Sequence, residues 1–150
     1  MEVVIDVNVF VSATLSGAGP SAQLVSAIRN RRLTAVACDK LLGELGGVLR
    51  RDRFRRYISL DEVDDYLVEI EMLCRMVGDP DPVPQVLRDA DDDYLVALAS
   101  ESGADAIVSG GGLGPYGWGT SALRRLPVGI LRAASIACRV LAASGLTRKT

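Results

Sequence analysis

A chain of 150 residues, 49% of them hydrophobic, can bury one continuous core, and we read it as a single domain over residues 1–150. It has no histidine, which excludes Ser-His-Asp and Cys-His nucleophiles, His-ligated zinc and imidazole acid-base catalysis; any chemistry falls to carboxylates, hydroxyls, arginines or a bound metal. The net charge of −2 hides a break: residues 1–105 hold all 19 acidic side chains against 11 basic ones, a balance of −8, whereas the last 45 hold six basic side chains and no acidic one.

Residues 2–5 read as a buried strand that delivers Asp6 at its end. An ionised carboxylate there is costly to desolvate unless it faces a cleft, a metal or a partner, which makes Asp6 a functional candidate. A Gly/Pro/Ser loop over 16–21 leads to a helix over 22–31, and residues 34–38 form a second short strand. Asp39 reads as the N-cap of a helix in which Leu41, Leu45, Val48 and Leu49 repeat at helical spacing, with Glu44 near the edge of that stripe. A third helix starts near residues 60–62 with Val63, Leu67, Ile70, Cys74 and Val77 on its inner face.

The proline-rich segment 78–84 cannot be regular structure. It connects to an acidic run, Asp89 and Asp91 to Asp93, that opens a helix over 94–101, which Gly103 ends. Residues 104–109 make a third strand and 128–131 a fourth, before an apolar helix over about 133–143. Strands alternating with helices imply an α/β fold with a central parallel sheet and right-handed crossovers, whose ligands gather at the carboxyl ends of the strands. Asp6, Ser109 and Gly110 stand at such ends, and Asp93 at a helix start can face the same mouth.

Cys38, Cys74 and Cys138 form no CxxC pair, so buried reduced thiols are expected rather than a disulfide framework or a zinc cage. No apolar stretch reaches the roughly 18 residues of a membrane span, and no basic leader precedes an apolar signal core, so the expected setting is cytoplasmic, with no membrane. Carboxylates converging from separate elements repel one another, and a shared divalent cation is the usual stabiliser; oxygen-only ligands favour magnesium or manganese. Bland readings stand beside this. Asp6 can be a loop cap, Glu44 a solvated helix edge, and Asp89, Asp91 and Asp92 charges favoured by a helix N-terminus. Arg50, Arg51, Arg53, Arg55 and Arg56, with Arg29, Arg31 and Arg32, can grip RNA phosphates or simply be solvated. Tyr57, Tyr66 and Tyr94 can stack on bases, but core or surface filling is the simpler reading.

In order and spacing the pattern resembles the PIN domain, specifically the toxin components of bacterial toxin-antitoxin pairs related to VapC-type ribonucleases. The matching pieces are Val4-Ile5-Asp6-Val7-Asn8-Val9-Phe10, then Leu41-Leu42-Gly43-Glu44-Leu45, then Arg88-Asp89-Ala90-Asp91-Asp92-Asp93-Tyr94-Leu95, then Gly103-Ala104-Asp105-Ala106-Ile107-Val108-Ser109-Gly110. The resemblance covers residues 1–110 and implies a three-layer α/β/α fold. It implies Asp6, Glu44 and Asp93 as metal-binding catalytic acids, with Asn8 and Ser109 in support, and magnesium-dependent hydrolysis of RNA by metal-activated water. An antitoxin partner and a homodimer are implied as well. Two departures stand out: Val7 replaces the usual Thr after the first Asp, and Gly111 replaces the Asp that usually follows Ser-Gly.

The atypical tail, 111–150, admits a one-base frameshift. Codons GGG GGA CTT GGA CCT TAT GGA TGG encode Gly111 to Trp118, and the adjacent frame of the same string reads Gly-Asp-Leu-Asp-Leu-Met-Asp, the motif the family places there. The alternatives to an active ribonuclease are an inactive PIN domain that still binds RNA or an antitoxin, and a haloacid-dehalogenase-like phosphatase. The phosphatase needs an Asp two residues after the first one, where this chain has Asn8.

Overall fold

The structure is a computed structural model that describes residues 2–81 and 90–108. Among the described residues four parallel strands form the sheet: β1 (Glu2–Ile5), β2 (Thr34–Ala37), β3 (Arg75–Met76) and β4 (Ala106–Val108), in the spatial order β3-β2-β1-β4. The helices are α1 (Val7–Leu15), α2 (Pro20–Arg29), α3 (Asp39–Leu49), α4 (Leu60–Leu73) and α5 (Ala90–Ser102), with one turn of 3-10 helix at Asp52–Phe54.

Val3, Val4 and Ile5 of β1, and Ala35, Val36 and Ala37 of β2, are all buried. Successive side chains of a strand point to opposite faces, so both faces of the sheet are covered and the fold is the expected three-layer α/β/α. Strand order runs outward from β1 in both directions. With right-handed crossovers, α1 to α4 cover one face and α5, on the return path from β3 to β4, covers the other. The order reverses between β1 and β4, and such a switch point opens a crevice at the strands' carboxyl ends.

Several elements differ from the expectation. The segment after Asp6 is a helix, α1, that the apolar run Val7-Asn8-Val9-Phe10-Val11 did not announce. Val7, Val9, Phe10 and Val11 are all buried, so the run lacks a polar stripe at helical spacing and its helicity comes from packing against α2 and α3. Pro20 starts α2 earlier than expected, at a position where its missing N–H costs nothing. Cys38, not Asp39, is the N-cap of α3 and offers no side-chain cap. The cap comes from far along the chain, where Asp79 Oδ1 accepts the Lys40 N–H at 2.9 Å.

Helix α4 begins with a capping box in which Ser59 Oγ accepts the Glu62 N–H and Glu62 Oε2 accepts the Ser59 N–H at 2.7 Å. It ends at Leu73, so Cys74 and Val77 lie beyond it, and Tyr66 takes an inner position, donating to the Phe10 carbonyl at 3.1 Å. The two-residue β3 was not foreseen, and α5 starts at Ala90, taking the acidic residues 91–93 into its opening turn. Cys38 and Cys74 are free and buried, and burial pushes the Cys74 thiol up to about 12. Cys138, the expected strand over 128–131 and the expected helix over 133–143 lie outside the described residues.

Candidate active site

At the end of β1 the chain passes from strand to helix at Asp6, whose φ of −63° and ψ of 144° are those of an N-cap. Its carboxylate Oδ1 accepts the Asn8 N–H at 3.2 Å and its carbonyl accepts the Val9 N–H at 3.0 Å. Its own amide donates to the Val108 carbonyl at 2.9 Å. Because Ile5 pairs with Val108 across the β1–β4 ladder, Asp6 stands at the switch point itself. The half-buried carboxylate is therefore a helix cap and a crevice residue at once, and its charge is favoured by the N-terminal end of α1.

Glu44 reaches the same region from α3. It is half-buried, and its Oε2 accepts a hydrogen bond from the Tyr94 hydroxyl at 2.7 Å. Tyr94, on α5, is only 7% exposed. Burial first, then the hydrogen bond and charge of Glu44, with smaller contributions from Cys38 and Asp6, push its phenol well above the usual tyrosine range. Glu44 thus holds the buried hydroxyl directly, and Asp6 adds only a weaker electrostatic influence. The Lys40 ammonium, one helical turn before Glu44, lies 4.3 Å from the centre of the Tyr94 ring on the same rim.

Asp93 precedes Tyr94 in α5, which brings its backbone into this neighbourhood; its side chain lies outside the described residues, as does Ser109. Asn8 is exposed in the first turn of α1, its amide taken by the Asp6 cap. Among the described residues no three acidic or cysteine groups assemble a metal cage. The donor set on offer is nonetheless oxygen from carboxylates, in a chain without histidine, and that chemistry fits a hard divalent cation rather than zinc.

The arginines are elsewhere. Helix α3 starts at the carboxyl rim of the sheet and runs back from it, so Arg50 is about 9 Å further along the axis than Glu44, toward the opposite rim. Arg50 pairs with Asp64 of α4 at 2.5 Å, and Arg53 lies over the Phe54 ring at 4.8 Å. Arg51 is exposed beside them. Arg29 forks onto both oxygens of Glu69 at 2.6 and 2.9 Å, joining α2 to α4. These positions do not converge with the carboxylates. The sequence reading missed Tyr94 as a partner of Glu44 and Lys40 as its neighbour. The only local signal was the four-residue spacing of Lys40 and Glu44, since the Tyr94 contact spans 50 positions.

A family model described as PIN domain matches residues 2–111. The chain belongs to the PIN domain family, whose members are generally nucleases and generally use divalent metal ions. No curated protein and no solved structure matches it. Among the described residues no helix is long and apolar enough to cross a membrane. Family membership, with Asp6 engaged as a helix cap at a β1–β4 switch point, displaces the phosphatase alternative.

Proposed function

We propose that this chain is a magnesium- or manganese-dependent ribonuclease, the toxin of a toxin-antitoxin pair acting in the cytoplasm, with Asp6, Glu44 and Asp93 as the carboxylates that hold the cation. The observation that carries this reading is the hydrogen bond from Tyr94, the residue next to Asp93, to Glu44, at the carboxyl rim of the sheet where Asp6 ends β1. Asn8 and Ser109 are assigned supporting roles. A divalent ion held by these carboxylates would supply a nucleophilic water and neutralise phosphodiester charge. The protein's own part is positional: the α1 cap fixes Asp6, the α5 hydroxyl fixes Glu44, and the β1–β4 ladder holds the strand ends that frame the crevice. The RNA substrate, a cognate antitoxin and a homodimer belong to the same proposal.

A second reading, an impaired or inactive PIN domain that binds RNA or the antitoxin, is favoured by one feature. Gly111 stands where the family pattern has an Asp, and the family match stops at that residue. The one-base frameshift accounts for both, and sequencing of the source gene tests it: codons that cannot yield the alternative frame overturn it.

The assay is cleavage of a labelled RNA pool with magnesium or manganese by the full chain, Asp6→Asn and Gly111→Asp. Metal-dependent cutting that Asp6→Asn abolishes is the expected result. Cutting that begins only with Gly111→Asp favours the inactivated domain, and no cutting by any of the three overturns the nuclease reading.

A further inference from the structure

Glu44 has two carboxylate oxygens, and one of them is engaged. The Tyr94 hydroxyl sits 2.7 Å from Oε2, a short distance of the kind a charged acceptor produces. The donor has little freedom to leave. Its ring is buried among core residues of α5, and the Lys40 ammonium covers one face at 4.3 Å. Lys40 is itself anchored through its backbone to Asp79. Glu44 is therefore oriented by a rigid neighbour on another helix.

A carboxylate that chelates an ion through both oxygens needs the in-plane lone pairs of both directed at it. A fixed hydroxyl takes one of the two in-plane lone pairs of its oxygen and restrains rotation of the carboxylate, which disfavours that arrangement. Divalent ions differ in how much this matters. Magnesium takes six ligands in a near-ideal octahedron at 2.0–2.1 Å and is served by one oxygen per carboxylate, whereas calcium takes six to eight oxygens and readily accepts two from one carboxylate. Groups that hydrogen-bond a metal-binding side chain typically shift metal affinity 10- to 100-fold when removed.

We infer that Tyr94 is a positioning residue that holds Glu44 as a one-oxygen ligand and so makes the site discriminate in favour of a small octahedral cation over calcium. The inference rests on the assignment of Glu44 as a metal ligand proposed above. It concerns selectivity, which that assignment leaves open.

The test is calorimetric titration of magnesium and, separately, calcium into the full chain, Tyr94→Phe and Asp6→Asn, with no RNA present. Tyr94→Phe is expected to move the affinity ratio about tenfold toward calcium, while its circular dichroism in chelator matches that of the parent chain. A ratio unchanged within about twofold, whether both affinities fall together or neither moves, overturns the inference and leaves the site assignment standing. Absence of divalent binding by the parent chain, or binding by Asp6→Asn equal to the parent's, overturns the assignment and the inference with it. Tyr94→Met, which fills apolar volume without a donor, takes the place of the Phe variant if that one does not fold, with the same two readings of the ratio.

Discussion

Asp6 caps α1, and the proposed function gives it a second role as a cation ligand; paired substitutions separate the two. As the N-cap of α1 its carboxylate accepts the Asn8 N–H at 3.2 Å, and an Asn side chain offers the same acceptor. Asp and Asn rank together at N-caps, while replacement by Ala typically costs about 1 kcal/mol. Both variants lose the favourable charge at the helix N-terminus, about 0.3–1 kcal/mol, and both gain from relief of repulsion with Glu44, so these effects cancel in the comparison between them. Urea unfolding in chelator should therefore place Asp6→Asn within about 0.5 kcal/mol of the parent chain and Asp6→Ala about 1 kcal/mol below Asp6→Asn, a melting difference of roughly 3 °C for a chain of this size. Adding magnesium should stabilise the parent alone, because only it retains the ligand charge. Equal stability of the Asn and Ala variants in chelator would refute the capping role, and equal stabilisation of all three by magnesium would refute the ligand role.

Gly47 is exposed in the body of α3 with open space where a Cβ would stand; Gly47→Ala should raise the urea midpoint by the equivalent of about 0.5–1 kcal/mol without altering the slope. The Arg29–Glu69 fork predicts a pH dependence, since its hydrogen bond holds the Glu69 carboxyl below the ordinary 4.5. The group is mostly solvent-facing, so the pair is worth under about 1 kcal/mol. A lowered native value means the stabilisation is complete above pH 4.5 and is lost as pH falls through that lowered value. Melting curves of Glu69→Gln should thus lie below the parent's at pH 7 and converge with them in acid; a gap that persists at low pH would point to packing instead.

Elements whose stability is written locally were legible before the structure. The Val3-Val4-Ile5 run announced β1, and the apolar spacing in α3 and α4 announced helices because each has one buried and one wet face. Helix α1 was not legible. Its valines are weak helix formers, and Val7, Val9, Phe10 and Val11 are buried over a broad side that leaves only Asn8 and Leu15 exposed, so packing against the neighbouring layers decides its conformation. The cap of α3 was misplaced for a related reason, because the carboxylate that does the capping is Asp79, 39 positions from its target. At the site, sequence singled out Asp6 and Glu44, and the fold brings both to the carboxyl rim. The Tyr94–Glu44 bond depends on how α5 crosses back over the sheet, which no local pattern encodes, and the direction of α3 carries Arg50, Arg51 and Arg53 toward the other rim.

The pairing of β1 with β4 has a consequence for biogenesis. Of the described strands β1 is synthesised first, yet it occupies an inner position of the sheet, and the neighbour on one side of it lies 103 positions further along the chain. Until that neighbour is synthesised, β1 offers an unpaired edge, and the Asp6 amide has no Val108 carbonyl to hold it. Such a high contact order slows folding, and it also makes completion of the crevice one of the last events. A nascent chain growing amid ribosomal RNA would therefore carry its acids dispersed, and acquire a formed site only after the segment containing β4 has emerged.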